Sequence, residues 1–94
     1  MIAPGQVFRR VAGAQTAAFA GEEVVLDPQG RMLRGLNPTG ARVWALLDGR
    51  RSVLEIARAL ARETAIDEAR ALADVSAFLQ RLLDAQLLTE TRSR

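Results

Sequence analysis

The sequence changes from a strand-like to a helical pattern at Asn37-Pro38-Thr39-Gly40-Ala41-Arg42-Val43-Trp44-Ala45-Leu46-Leu47-Asp48-Gly49. Asn37 is a favourable N-cap residue, and Pro38 is the residue best tolerated in a first helical turn. Gly49 favours the left-handed conformation in which helices often end. This stretch therefore predicts a first helix over residues 37–48, whose core-facing apolar residues are Val43, Trp44, Leu46 and Leu47.

Two more helices are predicted downstream of this stretch. Ser52-Val53-Leu54-Glu55 matches a capping box and predicts a second helix over residues 52–63. Its apolar residues have the spacing of a single stripe and are Val53, Ile56, Ala57 and Leu60. Asp67 is the next plausible cap and begins a third helix that runs to about Ala85. The apolar stripe of this helix is predicted to be Leu72, Val75, Leu79, Leu82 and Leu83.

Upstream, recurring glycines separate short apolar segments, which is typical of a small antiparallel sheet. Strands are predicted over Gln6–Val11, residues 23–26 and Arg31–Leu36, and Asp27-Pro28-Gln29-Gly30 forms the turn between the last two. Residues 13–21 fit either a loose strand or a loop. Residues 87–89 are expected to pack on the sheet and residues 91–94 to fray. The prediction is one α+β domain over residues 1–94, similar to a winged helix-turn-helix.

The composition argues against most enzyme classes. The 94 residues include no Cys and no His, which removes thiolate and imidazole nucleophiles and the usual ligands of zinc and iron–sulfur sites. Lys and Tyr are absent as well, so every basic residue is an arginine. No pair of carboxylates falls in a recognisable catalytic pattern. We therefore expect a binding protein without catalytic residues, cofactor or metal.

The N-terminus and the length of the apolar segments bear on the cellular location of the chain. The N-terminal residues lack a basic segment followed by an apolar one, and no window approaches about 18 apolar residues. We therefore expect a cytoplasmic protein without a membrane partner.

A winged helix-turn-helix would place the third helix in the DNA major groove. Here that helix carries Asp67, Glu68, Asp74 and Asp84 against two arginines, and a phosphate backbone would repel it. We therefore expect no nucleic-acid partner. A DNA-binding transcriptional regulator remains the alternative, and a subunit that only scaffolds two enzymes is a third possibility.

Several segments together resemble the PqqD family over roughly residues 5–90. They are Val24-Val25-Leu26-Asp27, residues 36–49, Ile56-Ala57, Asp74-Val75, Phe78-Leu79 and Leu87-Leu88. The resemblance implies a winged-helix domain that binds the leader of a ribosomally synthesised, post-translationally modified peptide. It also implies that the domain presents this leader to a modifying enzyme, such as a radical-SAM protein or, in lasso-peptide pathways, a leader peptidase. The sequence from Asn37 to Ala41 resembles the lasso-peptide members more closely than the members of pyrroloquinoline quinone synthesis. Where we expect an aromatic pair before Leu36, this chain has Leu33-Arg34-Gly35.

The predicted binding site lies at an edge of the sheet. A two- or three-stranded sheet in a lone domain exposes an edge that can pair with a further strand. We expect the leader to add as an antiparallel strand and to insert apolar side chains between that edge and the third helix. The predicted contacts are Arg31, Met32, Leu33, Arg34, Gly35, Leu36, Ala71, Asp74, Val75, Phe78 and Arg81.

Individual side chains at this site have alternatives. Ala71 is expected to leave room for a leader side chain, and Arg31 and Arg34 to attract acidic leader residues. Phe78 could instead close the core, and Asp74 could be an ordinary solvated carboxylate. The same edge could also pair with a second copy of the chain and form a homodimer.

Overall fold

The computed structural model describes residues 2–91, apart from the side chains of Phe19 and of residues 32–34. In chain order the elements are β1 (Val7–Arg10), β2 (Gln15–Phe19), β3 (Glu22–Leu26), β4 (Met32–Leu36), α1 (Pro38–Leu46), β5 (Asp48–Ser52), α2 (Val53–Thr64), α3 (Glu68–Asp84) and β6 (Leu88–Thr91). Short antiparallel strands and three helices confirm the predicted α+β class.

The three helices begin where their caps predict. The Asn37 side chain accepts a hydrogen bond from the Gly40 amide at 2.7 Å, and Asp67 caps α3 in the same way. In α2 the capping box is complete, because the Ser52 side chain accepts from the Glu55 amide and the Glu55 side chain accepts from the Ser52 amide. These bonds satisfy amides that the helical pattern leaves without partners.

The strands form the predicted small antiparallel sheet near the N-terminus and also a second antiparallel sheet, to which the predicted first strand belongs. One sheet is the meander β2-β3-β4, and the other has the order β5-β1-β6. In the second sheet Val7 pairs with Thr91. Thr91 is therefore not frayed, whereas residues 92–94 lie outside the described part of the chain. Residues 13–21, which fitted either a strand or a loop, contain the regular strand β2.

The end of α1 also differs from the prediction. The helix ends at Leu46 instead of Asp48, and residues 48–52 continue as β5. The Asp48 carboxylate accepts from the amides of Arg50 and Arg51 at 2.9 and 3.1 Å, which favours a turn at this point over a further helical residue. Gly49 does adopt the expected positive φ, of 81°, but it does so inside the strand.

The core lies between the helices and the two sheets. The predicted stripes of α1 and α2 are buried throughout, Trp44 included. In α3 the buried stripe consists of Ala71, Val75, Leu79 and Leu82, while Leu72 and Leu83 at its margin are only half-buried. Among residues 2–91, no helix combines the length and the apolar character needed to cross a bilayer.

Candidate functional site

β4 forms an edge of its sheet, as the prediction requires. It pairs with β3 through Glu23↔Leu36, Val24↔Gly35 and Val25↔Arg34, and within residues 2–91 no strand pairs with its other side. The next pair joins Leu26 to Met32, so the register skips Leu33 and the strand bulges there. The side chains of Met32, Leu33 and Arg34 lie outside the described part, and their predicted contacts with a peptide stay predictions.

Arg31 does not belong to β4, which begins one residue later than predicted. The Asp27 carboxylate accepts from the Arg31 amide at 2.8 Å and from Arg31 Nε at 2.7 Å. The Arg31 carbonyl in turn accepts from the Asp27 amide at 2.9 Å. These three bonds fix Arg31 in the turn before the strand, with its guanidinium committed to Asp27.

Asp27 itself is the one charged residue among those described that is buried. Burial raises the pKa of its carboxyl, but the hydrogen bonds from Arg31 and the Gln29 amide outweigh that effect and hold the pKa below its ordinary value. Asp27 therefore stays ionised and fixes the point at which the edge strand starts.

A cavity of about 290 Å³ lies between α3 and the start of α1. Four of the predicted contact residues line it: Asp74, Val75, Phe78 and Arg81. Its other lining residues, which sequence reasoning did not assign to the site, are Asn37, Thr39, Gly40, Val43, Leu60 and Ala77. Val43, Leu60 and Val75 give the cavity a buried apolar floor, whereas Asp74 and Arg81 are exposed at its rim.

Gly40 and Phe78 form the contact that shapes this cavity. A Cβ atom at residue 40 would lie 3.2 Å from Cε1 of the Phe78 ring and 3.3 Å from the Asn37 side-chain oxygen. Gly40 is buried and Phe78 is half-buried, packed against the core on one side and lining the cavity on the other. The two interpretations of Phe78, as a core residue and as a groove residue, are therefore compatible.

The expected role of Ala71 as open space in the groove is wrong. Ala71 is fully buried in the stripe by which α3 packs on the core, and it does not line the cavity. The reason is close packing, because a small residue on this face lets α3 approach its neighbours. The exposed small residue at the cavity is Ala77.

Gly35 and Leu36 line a second depression, of about 510 Å³, next to the first. It also contains Glu22 and Glu23 from β3 and Pro38 and Ala41 from α1. Asn37 lines both cavities, so they meet at the junction of β4 and α1. Gly35 and Leu36 of the predicted strand therefore line one cavity, the four predicted contacts on α3 line the other, and the two cavities meet at Asn37.

The other strand edges are less suited to pairing with a peptide beside a cavity. In β5 the amides of Arg50 and Arg51 already donate to the Asp48 carboxylate, so they are not free to pair with a further strand. Neither β2 nor β6 contributes a residue to the two cavities. Among the described strands, β4 is the edge that combines open backbone groups with an adjoining cavity.

These features define a small α+β domain with an open strand edge beside a cavity that has an apolar floor and a charged rim. Residues 22–88 match the family described as Coenzyme PQQ synthesis protein D (PqqD). The chain belongs to this family, which confirms the resemblance in the sequence. A search of the curated proteins finds no significant match.

Two solved structures combine high coverage with sequence identity of 26% or more. TbiB1 in complex with the TbiA(beta) leader peptide is 30% identical, with a TM-score of 0.72 over 85% of this chain and 93% of that chain. The PqqD truncation of Methylobacterium extorquens PqqCD, described as a functional and stand-alone recognition element for ribosomally synthesised and post-translationally modified peptides, is 26% identical. Its TM-score is 0.80, and the match covers 95% of each chain.

A third structure, lasso peptide synthetase B1 complexed with the leader peptide, shows the fold alone. It is 24% identical, with a TM-score of 0.73 over 87% of this chain and 96% of that chain.

Proposed function

We propose that this chain binds the leader region of a ribosomally synthesised precursor peptide and presents it to a modifying enzyme. The observation that carries this proposal is the open edge of β4 next to the cavity formed by α1 and α3. An extended peptide pairs with such an edge through main-chain hydrogen bonds, and pockets for its side chains supply the specificity. TbiB1, a 30% identical relative, is solved with a leader peptide bound.

The peptide adds to β4 as a further antiparallel strand in this proposal. Backbone groups of residues 32–36 set the register, and the cavity receives an apolar leader side chain against Phe78. A volume of about 290 Å³ is near the lower end for ligand pockets and suits one or two side chains of a peptide. The residues that we assign to peptide contact are therefore those of β4 together with Asp74, Val75, Phe78 and Arg81.

The proposed role is recognition without chemistry. The lining of the first cavity contains one carboxylate, that of Asp74, together with one guanidinium, and it has no second acid or base with which Asp74 could share a proton transfer. The modifying enzyme supplies the chemistry. From the sequence of residues 37–41 we propose that this enzyme is a leader peptidase of a lasso-peptide pathway. The alternative partner is a radical-SAM protein.

Fluorescence polarisation tests the proposal with labelled synthetic peptides. The probes are the leader and core halves of candidate short precursor peptides, sought among the reading frames that flank this gene, together with a 20-base-pair DNA duplex. We expect the leader to bind and neither the core half nor the duplex to bind. Binding of the duplex that weakens steeply with salt, without binding of the leader, would support the DNA-binding alternative instead.

The partner enzyme is tested by co-purification of the tagged chain with a candidate leader peptidase and, separately, with a candidate radical-SAM protein, each sought among the neighbouring genes. We expect retention of the peptidase to increase when leader peptide is present. Size-exclusion chromatography of the same samples tests the homodimer, because a dimer formed through β4 must dissociate as leader is added.

A further inference from the structure

Two opposite charges flank the apolar anchor point of the α3 cavity. Asp74 and Arg81 both line the cavity, with Ala77 and Phe78 between them in sequence. They are seven residues apart, which is two helical turns and a rise of about 10.5 Å along one side of α3. The cavity therefore has a negative and a positive end along the helix.

Both charges are available to a ligand. Asp74 lies 3.4 Å from Arg70 Nε, in a pair whose side chains are 71% and 48% exposed for Arg70 and Asp74 respectively. Exposed pairs of this kind contribute little and exchange readily for another partner. Arg81 forms no ion pair with any residue that the structure describes.

The spacing of the two charges matches an extended peptide. A strand rises about 3.3 Å per residue and its side chains alternate between two faces, so the residues that flank an anchor on its own face are four apart, about 13 Å. The length of the charged side chains covers the small difference from about 10.5 Å. A leader that places one apolar side chain against Phe78 therefore has the residues two before and two after it within reach of Asp74 on one side and Arg81 on the other. Backbone pairing with an edge strand is almost independent of sequence, so it selects neither the direction nor the register of the peptide.

We propose that Asp74 and Arg81 read the charge order of the leader and so fix its direction on β4. The inference rests on the proposed function and adds to it the chemical class of the peptide. The preferred leader carries a basic residue on one side of an apolar anchor and an acidic residue on the other, each two residues from the anchor. The basic residue pairs with Asp74 and the acidic residue with Arg81.

A display selection tests this proposal without knowledge of the natural precursor. The probe is a random library of 12-residue peptides selected on the immobilised full chain. The variant is the exchange Asp74→Arg with Arg81→Asp, which preserves net charge and reverses the order. The matched control is the exchange Arg58→Glu with Glu68→Arg, which reverses an exposed ion pair between α2 and α3 away from this cavity.

We expect the wild-type chain to enrich one charge order about 10-fold over the reverse, the effect of two partly exposed ion pairs gained in one order and lost in the other. The Asp74/Arg81 exchange must enrich the opposite order, and the control exchange must keep the wild-type order. Enrichment of apolar peptides with no charge order, or with the same order in the exchanged variant, overturns the inference alone. A wild-type chain that enriches no peptide contradicts the proposed function itself.

Discussion

Gly40 of α1 lies directly against the ring of Phe78 in α3, at a distance where a Cβ atom on residue 40 would be 3.2 Å from the ring. Glycine in a helix costs about 0.5–1 kcal/mol relative to alanine, so a glycine in the first turn of α1 calls for a packing reason. The Phe78 ring supplies that reason. The contact also explains why the Asn-Pro-Thr-Gly stretch belongs to the site as well as to the cap of α1.

Substitution Gly40→Ala is expected to weaken leader binding about 3- to 10-fold with little change in stability. The added methyl group displaces the Phe78 ring into the adjoining cavity, where the ring takes up space that the leader needs. The gain of about 0.5–1 kcal/mol in helix propensity offsets the crowding. Calorimetric titration and a thermal melt measure the two effects. Gly5→Ala is the control, because nothing lies within 4 Å of a Cβ at Gly5.

Phe78→Ala is expected to weaken leader binding by about 1–3 kcal/mol, the range usual for an aromatic anchor. Leu83→Ala is the matched control, since Leu83 is also half-buried on α3 but does not line the cavity. Both variants lose some stability, which thermal melts record. Equal loss of affinity in the two variants would show that Phe78 acts only through the fold.

Arginine at two alanines of α3 separates the core from the cavity. Ala71→Arg is expected to unfold the domain or to lower its stability by several kcal/mol, because it places a charge in a fully buried position. Ala77→Arg is expected to keep the fold and to abolish leader binding, because Ala77 is exposed at the cavity. Circular dichroism and polarisation measure the two outcomes. Wild-type affinity in a folded Ala77→Arg chain would exclude this cavity from the site.

Asp27→Asn is expected to change how stability depends on acid pH. The pKa of Asp27 lies below the ordinary aspartate value of 3.8, so its ionised form stabilises the fold fully above that value and this contribution disappears as the pH falls through the folded pKa. The wild-type chain is therefore more stable than Asp27→Asn at pH 7, and the difference shrinks below about pH 4. Denaturant titrations from pH 7 to pH 2 measure it, with Asp84→Asn as an exposed control. A difference that is independent of pH would contradict the assigned role of the carboxylate.

The helices could be predicted from the sequence because their signals are local. Each cap joins residues three apart, as in Asn37 with Gly40 and Ser52 with Glu55. The sheets could not be predicted in the same way, because the pairing of Val7 with Thr91 joins the two ends of the chain. A strand pattern shows that a strand forms, but it does not identify the partner.

Part of the candidate site followed from helical spacing. Asp74, Phe78 and Arg81 repeat at intervals of four and three residues, which places them on one face of α3, and the structure brings all three to one cavity. Ala71 fits the same spacing, but a small residue is equally compatible with an open groove and with tight packing. The contact of Gly40 with Phe78 joins residues 38 apart, and the only signal for it was a glycine within a predicted helix.

Pairing of the leader with β4 is tested by hydrogen–deuterium exchange of the backbone amides, because a new strand protects the amides with which it forms hydrogen bonds. The exchange is measured by NMR on the full chain, with and without bound leader. We predict new protection concentrated in residues 32–36, with the amides of β2, β5 and β6 unchanged. Protection that appears at one of those three strands while residues 32–36 exchange as before would show that the leader does not pair with β4.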